Sequence, residues 1–140
     1  MRSKAPLVLM EQLVMLLVFA LAAAVCIRAF ALSERIAEDN AALDRAVQEA
    51  ERAAELWKSG GGDGAALEAV GFAAAENGWE LRCDEDFAPT QETDAPVIIR
   101  VMMEEGAHNP SFPMLRAQVE VLREEEILFS IPVACQEVMP

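Results

Sequence analysis

Few side chains in this sequence are of a kind that does chemistry, and their spacing argues against most of it. The chain holds one histidine, His108, no tyrosine, and cysteines at 26, 83 and 135 with no CxxC, HExxH, GxGxxG or GxxxxGK[ST] pattern. Metal and nucleotide catalysis therefore have no visible seat, and no cofactor is expected. The acidic runs Asp84-Glu85-Asp86, Glu104-Glu105 and Glu124-Glu125-Glu126 lack the alternating oxygen ligands and central glycine of a calcium loop, and read as solvated turns. His108 sits in a Pro-flanked loop without a neighbouring nucleophile and reads as a solvated loop residue. The residue that stands out is Glu11, a carboxylate inside an otherwise apolar run. An ionisable group in such a place either reaches an interface or meets a partner.

The elements that carry Glu11 follow from the distribution of charge. With 140 residues the chain has room for one domain. Residues 1–32 contain Arg2, Lys4 and Arg28 against Glu11, whereas residues 33–140 carry 8 basic and 23 acidic side chains. That acidic excess would repel phosphate backbones, so nucleic acid is not an expected partner.

From Ala5 to Ile27 the sequence reads APLVLMEQLVMLLVFALAAAVCI. As a helix these residues span roughly 34 Å, enough for a bilayer core, while the stretch after Gln12 alone would reach only about 22 Å. Glu11 is thus drawn into the membrane segment. Arg2 and Lys4 precede the run and an acidic segment follows it, which places the N-terminus in the cytoplasm and the remainder outside. A cleaved secretory signal is the rival reading, because Ala29-Phe30-Ala31 fits the small-x-small pattern and would leave a mature chain starting at Leu32.

No Gly or Pro interrupts the chain between Ile27 and Gly60, and the intervening residues are strong helix formers. The helix is expected to continue through the bilayer surface as an amphipathic segment. Its apolar stripe is read as Leu43, Val47, Ala50, Ala54 and Trp57, extended by Leu32 and Ile36. The cluster Gly60-Gly61-Gly62-Asp63-Gly64 ends it. A short helix is expected over 65–76, closed by Asn77-Gly78. Beyond Trp79 the apolar period becomes two, and four strands are expected, around Trp79–Cys83, Val97–Met103, Leu115–Val121 and Ile127–Cys135. Their polar, Pro-bearing links favour a sequential antiparallel meander, roofed by the stripe of the preceding helix. Pro132 argues that the last strand is an edge or carries a bulge. Cys83 and Cys135 fall on the inward alternation of the first and last strands, where a disulfide and two buried free thiols are both open. Cys26 lies in the membrane segment.

The basic leader, the apolar helix with its glutamate, the amphipathic continuation and the small sheet together resemble the type IV pilins and the pseudopilins of type II secretion and competence systems. The local match is Leu7-Val8-Leu9-Met10-Glu11-Gln12-Leu13-Val14. The resemblance implies an α+β pilin-like fold, with residues 1–6 as leader, 7–30 as transmembrane helix, 31–59 as its amphipathic continuation, 60–78 as a Gly-rich linker with a short helix, and 79–140 as an extracytoplasmic sheet. It implies a non-enzymatic filament subunit in a homo- or hetero-oligomer with other pilin-like chains, served by a prepilin peptidase and an inner-membrane assembly platform. Leu7 would be the first mature residue, and Glu11 would meet the free amine of a neighbouring subunit. That peptidase prefers glycine or alanine before the cut, and Pro6 stands there instead. A single-pass envelope or division scaffold with an extracytoplasmic interaction domain is the alternative reading.

Overall fold

The computed structural model describes residues 4–104 and 114–136, so that His108 and Glu105 lie outside the described residues. The chain is α+β. A first helix, α1 (Ala5–Ser59), precedes a short α2 (Ala65–Ala69) and five strands: β1 (Ala73–Ala75), β2 (Gly78–Cys83), β3 (Val97–Met103), β4 (Met114–Arg123) and β5 (Glu126–Gln136). Pro6 is accommodated in the first turn of α1, where the missing N–H would have had no intrahelical acceptor. The helix closes on backbone bonds from Gly60 N to Leu56 O (3.1 Å) and Gly62 N to Trp57 O (3.0 Å). Lys58 in its last turn suits the negative end of the helix dipole.

The residues form two compact units, Met1–Ala41 and Ala42–Pro140. The first consists of α1 alone, with every described residue exposed. In the second, the remainder of α1 packs on the sheet, whose strands run in the order β1-β2-β3-β4-β5 with every pair antiparallel. The two-residue links Glu76-Asn77 and Glu124-Glu125 leave their strands no route except back beside the predecessor, and the longer Pro-bearing links also join antiparallel neighbours, which completes the meander. The inward column is Leu81 and Cys83 from β2, Val97, Ile99 and Val101 from β3, Ala117, Val119 and Val121 from β4, and Val133 from β5. Against it lie Ala46, Ala50, Ala53, Ala54 and Trp57 of α1.

This buried face differs from the stripe read in the sequence. Ala50, Ala54 and Trp57 are shared, but Leu43 is 42% exposed and Val47 only half-buried, while Ala46 and Ala53 are buried instead. The large residues drew the eye to the wrong edge of the stripe. Small alanines make up most of the covered face, with Trp57, fully buried, filling the space near the helix end.

The helix expected over 65–76 stops at Ala69. Gly71 takes a φ of +104°, which a helix cannot continue through, and Phe72 then turns inward to 6% exposure. Ala73–Ala75 pair with Gly78–Glu80 across Glu76-Asn77, so these alanines, good helix formers in isolation, become a fifth strand. Tertiary pairing has overridden local propensity. The opposite edge is β5, and Pro132 lies exposed on it where a missing donor costs no ladder bond, as the edge reading requires. The β4/β5 pairing slips between Val121 and Leu122, giving the strand a bulge as well.

Two turns impose opposite demands. Gly64, with φ +76°, lies against the indole of Trp79, whose Nε1 donates to Glu68 Oε1 at 3.2 Å; a Cβ on Gly64 would run into that ring. The β4–β5 turn places Glu124 (φ 50°) and Glu125 (φ 70°) in the left-handed region that glycine or asparagine occupies at lower cost. Gly64→Ala should therefore lower the stability of the folded chain by more than about 2 kcal/mol, and Glu125→Gly should raise it by about 0.5–1 kcal/mol. Denaturation midpoints of the two variants beside the parent check both signs.

Candidate functional site

The first unit offers the clearest functional surface. Helix α1 contains an 18-residue window of mean hydropathy 2.6, none of it buried, which is long and apolar enough to cross a membrane. Leu7, Leu9, Met10, Leu13, Phe19 and many neighbours expose more than half of their surface. A soluble chain would hide such a surface. The exposure continues past Ile27 through Phe30 (77%), Leu32 (61%) and Ile36 (53%), so apolar surface extends beyond a minimal bilayer span.

Within this surface the structure places Glu11 one turn after Leu7 on the exposed helix. The Pro6–Leu7 bond, the cleavage position implied by the family resemblance, falls inside the first turn of α1. Glu11 shares one shallow apolar groove with Lys4, Leu7, Val8, Met10, Val14 and Met15. Seven residues bring a helix back to nearly the same face, so Lys4 stands at one end of this lining and Glu11 about one turn short of the other. Reading Glu11 alone as the notable charge passed over Lys4 on the same helix face, which the Lys4 to Glu11 spacing would have shown. Among the described residues neither side chain has an ion-pair partner.

The second unit holds the two cysteines considered for a disulfide, and they are free. Cys83 closes β2 and pairs across to Val97, whereas Cys135 is near the end of β5 and pairs to Leu115. Two whole strands separate β2 from β5, which at about 4.8 Å per strand holds the two apart by more than about 14 Å. A disulfide needs its Cα atoms within about 7 Å, so of the two readings left open the strand order excludes the bridge and leaves free thiols. Shared inward alternation had put both on one face of the sheet without saying how far apart. Burial, with the Glu49 and Asp84 carboxylates nearby, pushes the Cys83 thiol up to about 11. Burial also raises Cys135, opposed by the ammonium of Lys58.

The acidic run at 84–86 serves structure. Asp84 Oδ1 accepts from the backbone N–H groups of Asp86 and Ala88, both at 2.9 Å, and Arg45 of α1 donates to the carbonyl of Asp86 at 2.7 Å. These bonds seat Phe87, which is buried at a φ of +63°. On the outer face of the sheet Glu80 lies between Arg82 and Arg100, each at 3.5 Å. Such half-exposed pairs contribute at most about 1 kcal/mol each. Among the described residues no group of three or more His, Cys, Asp or Glu side chains is gathered in a way that could hold a metal ion.

Fold and surface together define an α+β protein with one N-terminal helix able to span a membrane and a helix-on-sheet unit. Compared with known proteins, the chain matches no family model, no curated sequence and no solved structure.

Three thiols, with no reductant added, should react in denaturant, and Cys83 should resist alkylation in the folded chain near pH 8. The native thiol holds its proton up to about pH 11, while an unfolded one loses it near the ordinary value of 9.0. The unfolded state then binds fewer protons, so folding stability should fall as pH rises from about 9 toward 11. Thermal melts of the parent and of Cys83→Ala across that range check the slope, which should be shallower in the variant, where only the raised Cys135 thiol remains.

Proposed function

We propose that this chain is a pilin-like or pseudopilin-like structural subunit of a bacterial type IV pilus or a type II secretion-type filament, working by assembly rather than catalysis. The observation that carries this reading is the wholly exposed apolar first unit of α1, with Glu11 in its groove, in the same chain as an α+β helix-on-sheet unit. The N-terminus lies in the cytoplasm and the sheet unit outside the membrane. Before assembly lipid covers the apolar helix; afterwards neighbouring helices do. Lipid tails and side chains are similarly apolar, so the exchange of surroundings costs little, and packing together with polar contacts decides it. Glu11 gives the assembled state such a contact. The partners under this reading are other pilin-like chains, a prepilin peptidase and an inner-membrane assembly platform.

A second reading, a single-pass envelope or division scaffold, draws on Leu32, Ile36 and Leu43. These remain exposed on α1 and offer a helical partner a surface outside the bilayer span. The sheet already covers the face from Ala46 to Trp57, so only this upper part of the stripe is free for a partner.

Glu11→Ala separates the two. A filament subunit carrying it should still extract with the membrane fraction but lose assembly into oligomers, measured by crosslinking in intact membranes and by electron microscopy of sheared filaments. A scaffold should form the same partner complexes with or without the carboxylate.

A further inference from the structure

We infer that the 84–89 loop is a strapped plug: Arg45 of α1 ties it down, Phe87 fills its seat, and release of the strap opens the flank of the helix-on-sheet contact without unfolding the unit. The inference concerns the second unit alone and is independent of the assembly reading.

The loop is held in an uncomfortable conformation. Phe87 is buried at a φ of +63°, a left-handed backbone that is costly for a residue with a Cβ and persists only where the surroundings enforce it. Most of its hydrogen bonds bind the loop to itself. Asp84 N–H donates to the carbonyl of Ala88 at 2.9 Å and Phe87 N–H to the carbonyl of Asp84 at 3.1 Å, while Asp84 Oδ1 accepts from Asp86 and Ala88. Bonds of this kind let the loop swing as one piece, because none of them has to break when it does. The bond that joins it to α1 is the one from Arg45 Nη1 to the carbonyl of Asp86, at 2.7 Å.

Behind the plug the packing is incomplete. A cavity of about 60 Å³ is lined by Ala53 and Leu56 of α1, Phe72, Leu81 of β2, and Phe87 and Pro89 of the loop. Pro89 also forms an isolated bridge with Cys83, which is fully buried at the end of β2. Burial of the phenyl ring and the Arg45 bond therefore favour the seated loop, and the backbone strain of Phe87 opposes them. Loss of the Arg45 bond shifts this balance toward an open form in which the cavity joins the solvent and Cys83 is uncovered. The inward column of Val97, Ile99, Val101, Val119 and Val121 comes from other strands and stays packed, so the opening is local.

The test uses the full chain in membranes with Cys26→Ala and Cys135→Ala, which leaves Cys83 as the remaining thiol. Its alkylation by iodoacetamide is timed by mass spectrometry at one pH and at several low urea concentrations. Unfolding of the second unit is followed in parallel by the fluorescence of Trp57 and Trp79. Arg45→Ala should raise the alkylation rate by roughly three- to tenfold, the worth of one such hydrogen bond, with a urea dependence much shallower than that of unfolding. Phe87→Gly should raise the rate as well, and Arg45→Ala should add little on that background, because the strap acts through the plug. A rate that Arg45→Ala leaves unchanged would overturn the strap. An equal increase from Arg45→Ala with and without Phe87 would overturn its action through the plug. A urea dependence as steep as that of unfolding would overturn the local opening, since Cys83 would then be reached only by loss of the whole unit.

Discussion

The second unit depends on a helix covering one face of a sheet. Ala46, Ala50, Ala53 and Ala54 carry only a methyl group each, and the facing column of Val97, Ile99, Val101, Val119 and Val121 is β-branched and stiff. A smooth helical face against a rigid, corrugated sheet face excludes water without needing interlocking large side chains. Trp57 then closes the end of this contact, and Phe72 and Phe87 close its flank from the loops. Other features of the unit follow from this contact. The turn after α1 must bring the chain back at once, α2 must be short, and the 84–89 loop must bend sharply enough to insert Phe87.

The polar groups are arranged so that the core needs none of them. Among the described residues no polar or charged side chain is buried, and the one buried side-chain polar atom without a hydrogen bond is the Nε1 of Trp57. The carboxylates sit on α1, at turns or on the outer face of the sheet, and Arg45, Arg82 and Arg100 engage backbone or acidic partners. The heavy negative charge of the distal part therefore bears on solubility and on the choice of partners rather than on the fold.

The first unit obeys the opposite rule. Among the described residues it buries nothing, and from Leu13 to Ile27 it presents apolar side chains around its whole circumference. A helix of this kind holds its own backbone hydrogen bonds and so is stable in a medium that supplies none. Between Ala5 and Ile27 its only polar side chains are those of Glu11 and Gln12. A charge in such a surrounding must be reconciled with whatever covers the helix, which ties this unit's structure to association.

Much of this was legible in one dimension because it rests on local periodicity. The apolar run with its single carboxylate, the unbroken helix to the glycine cluster, the switch to a period of two and the edge position of Pro132 all depend on neighbours within a few residues. Registers and distances do not. Which edge of the α1 stripe is buried was decided by the sheet, which covers Ala46 and Ala53 and leaves Leu43 exposed. Ala73–Ala75 became a strand because β2 offered unpaired backbone groups and Gly71 had already broken the helix. Cys83 and Cys135 share a face in the sequence pattern, yet the strand order sets two strands between them. Alternation reports the side on which a residue lies; only the folded sheet, by fixing strand order and register, determines what it can reach.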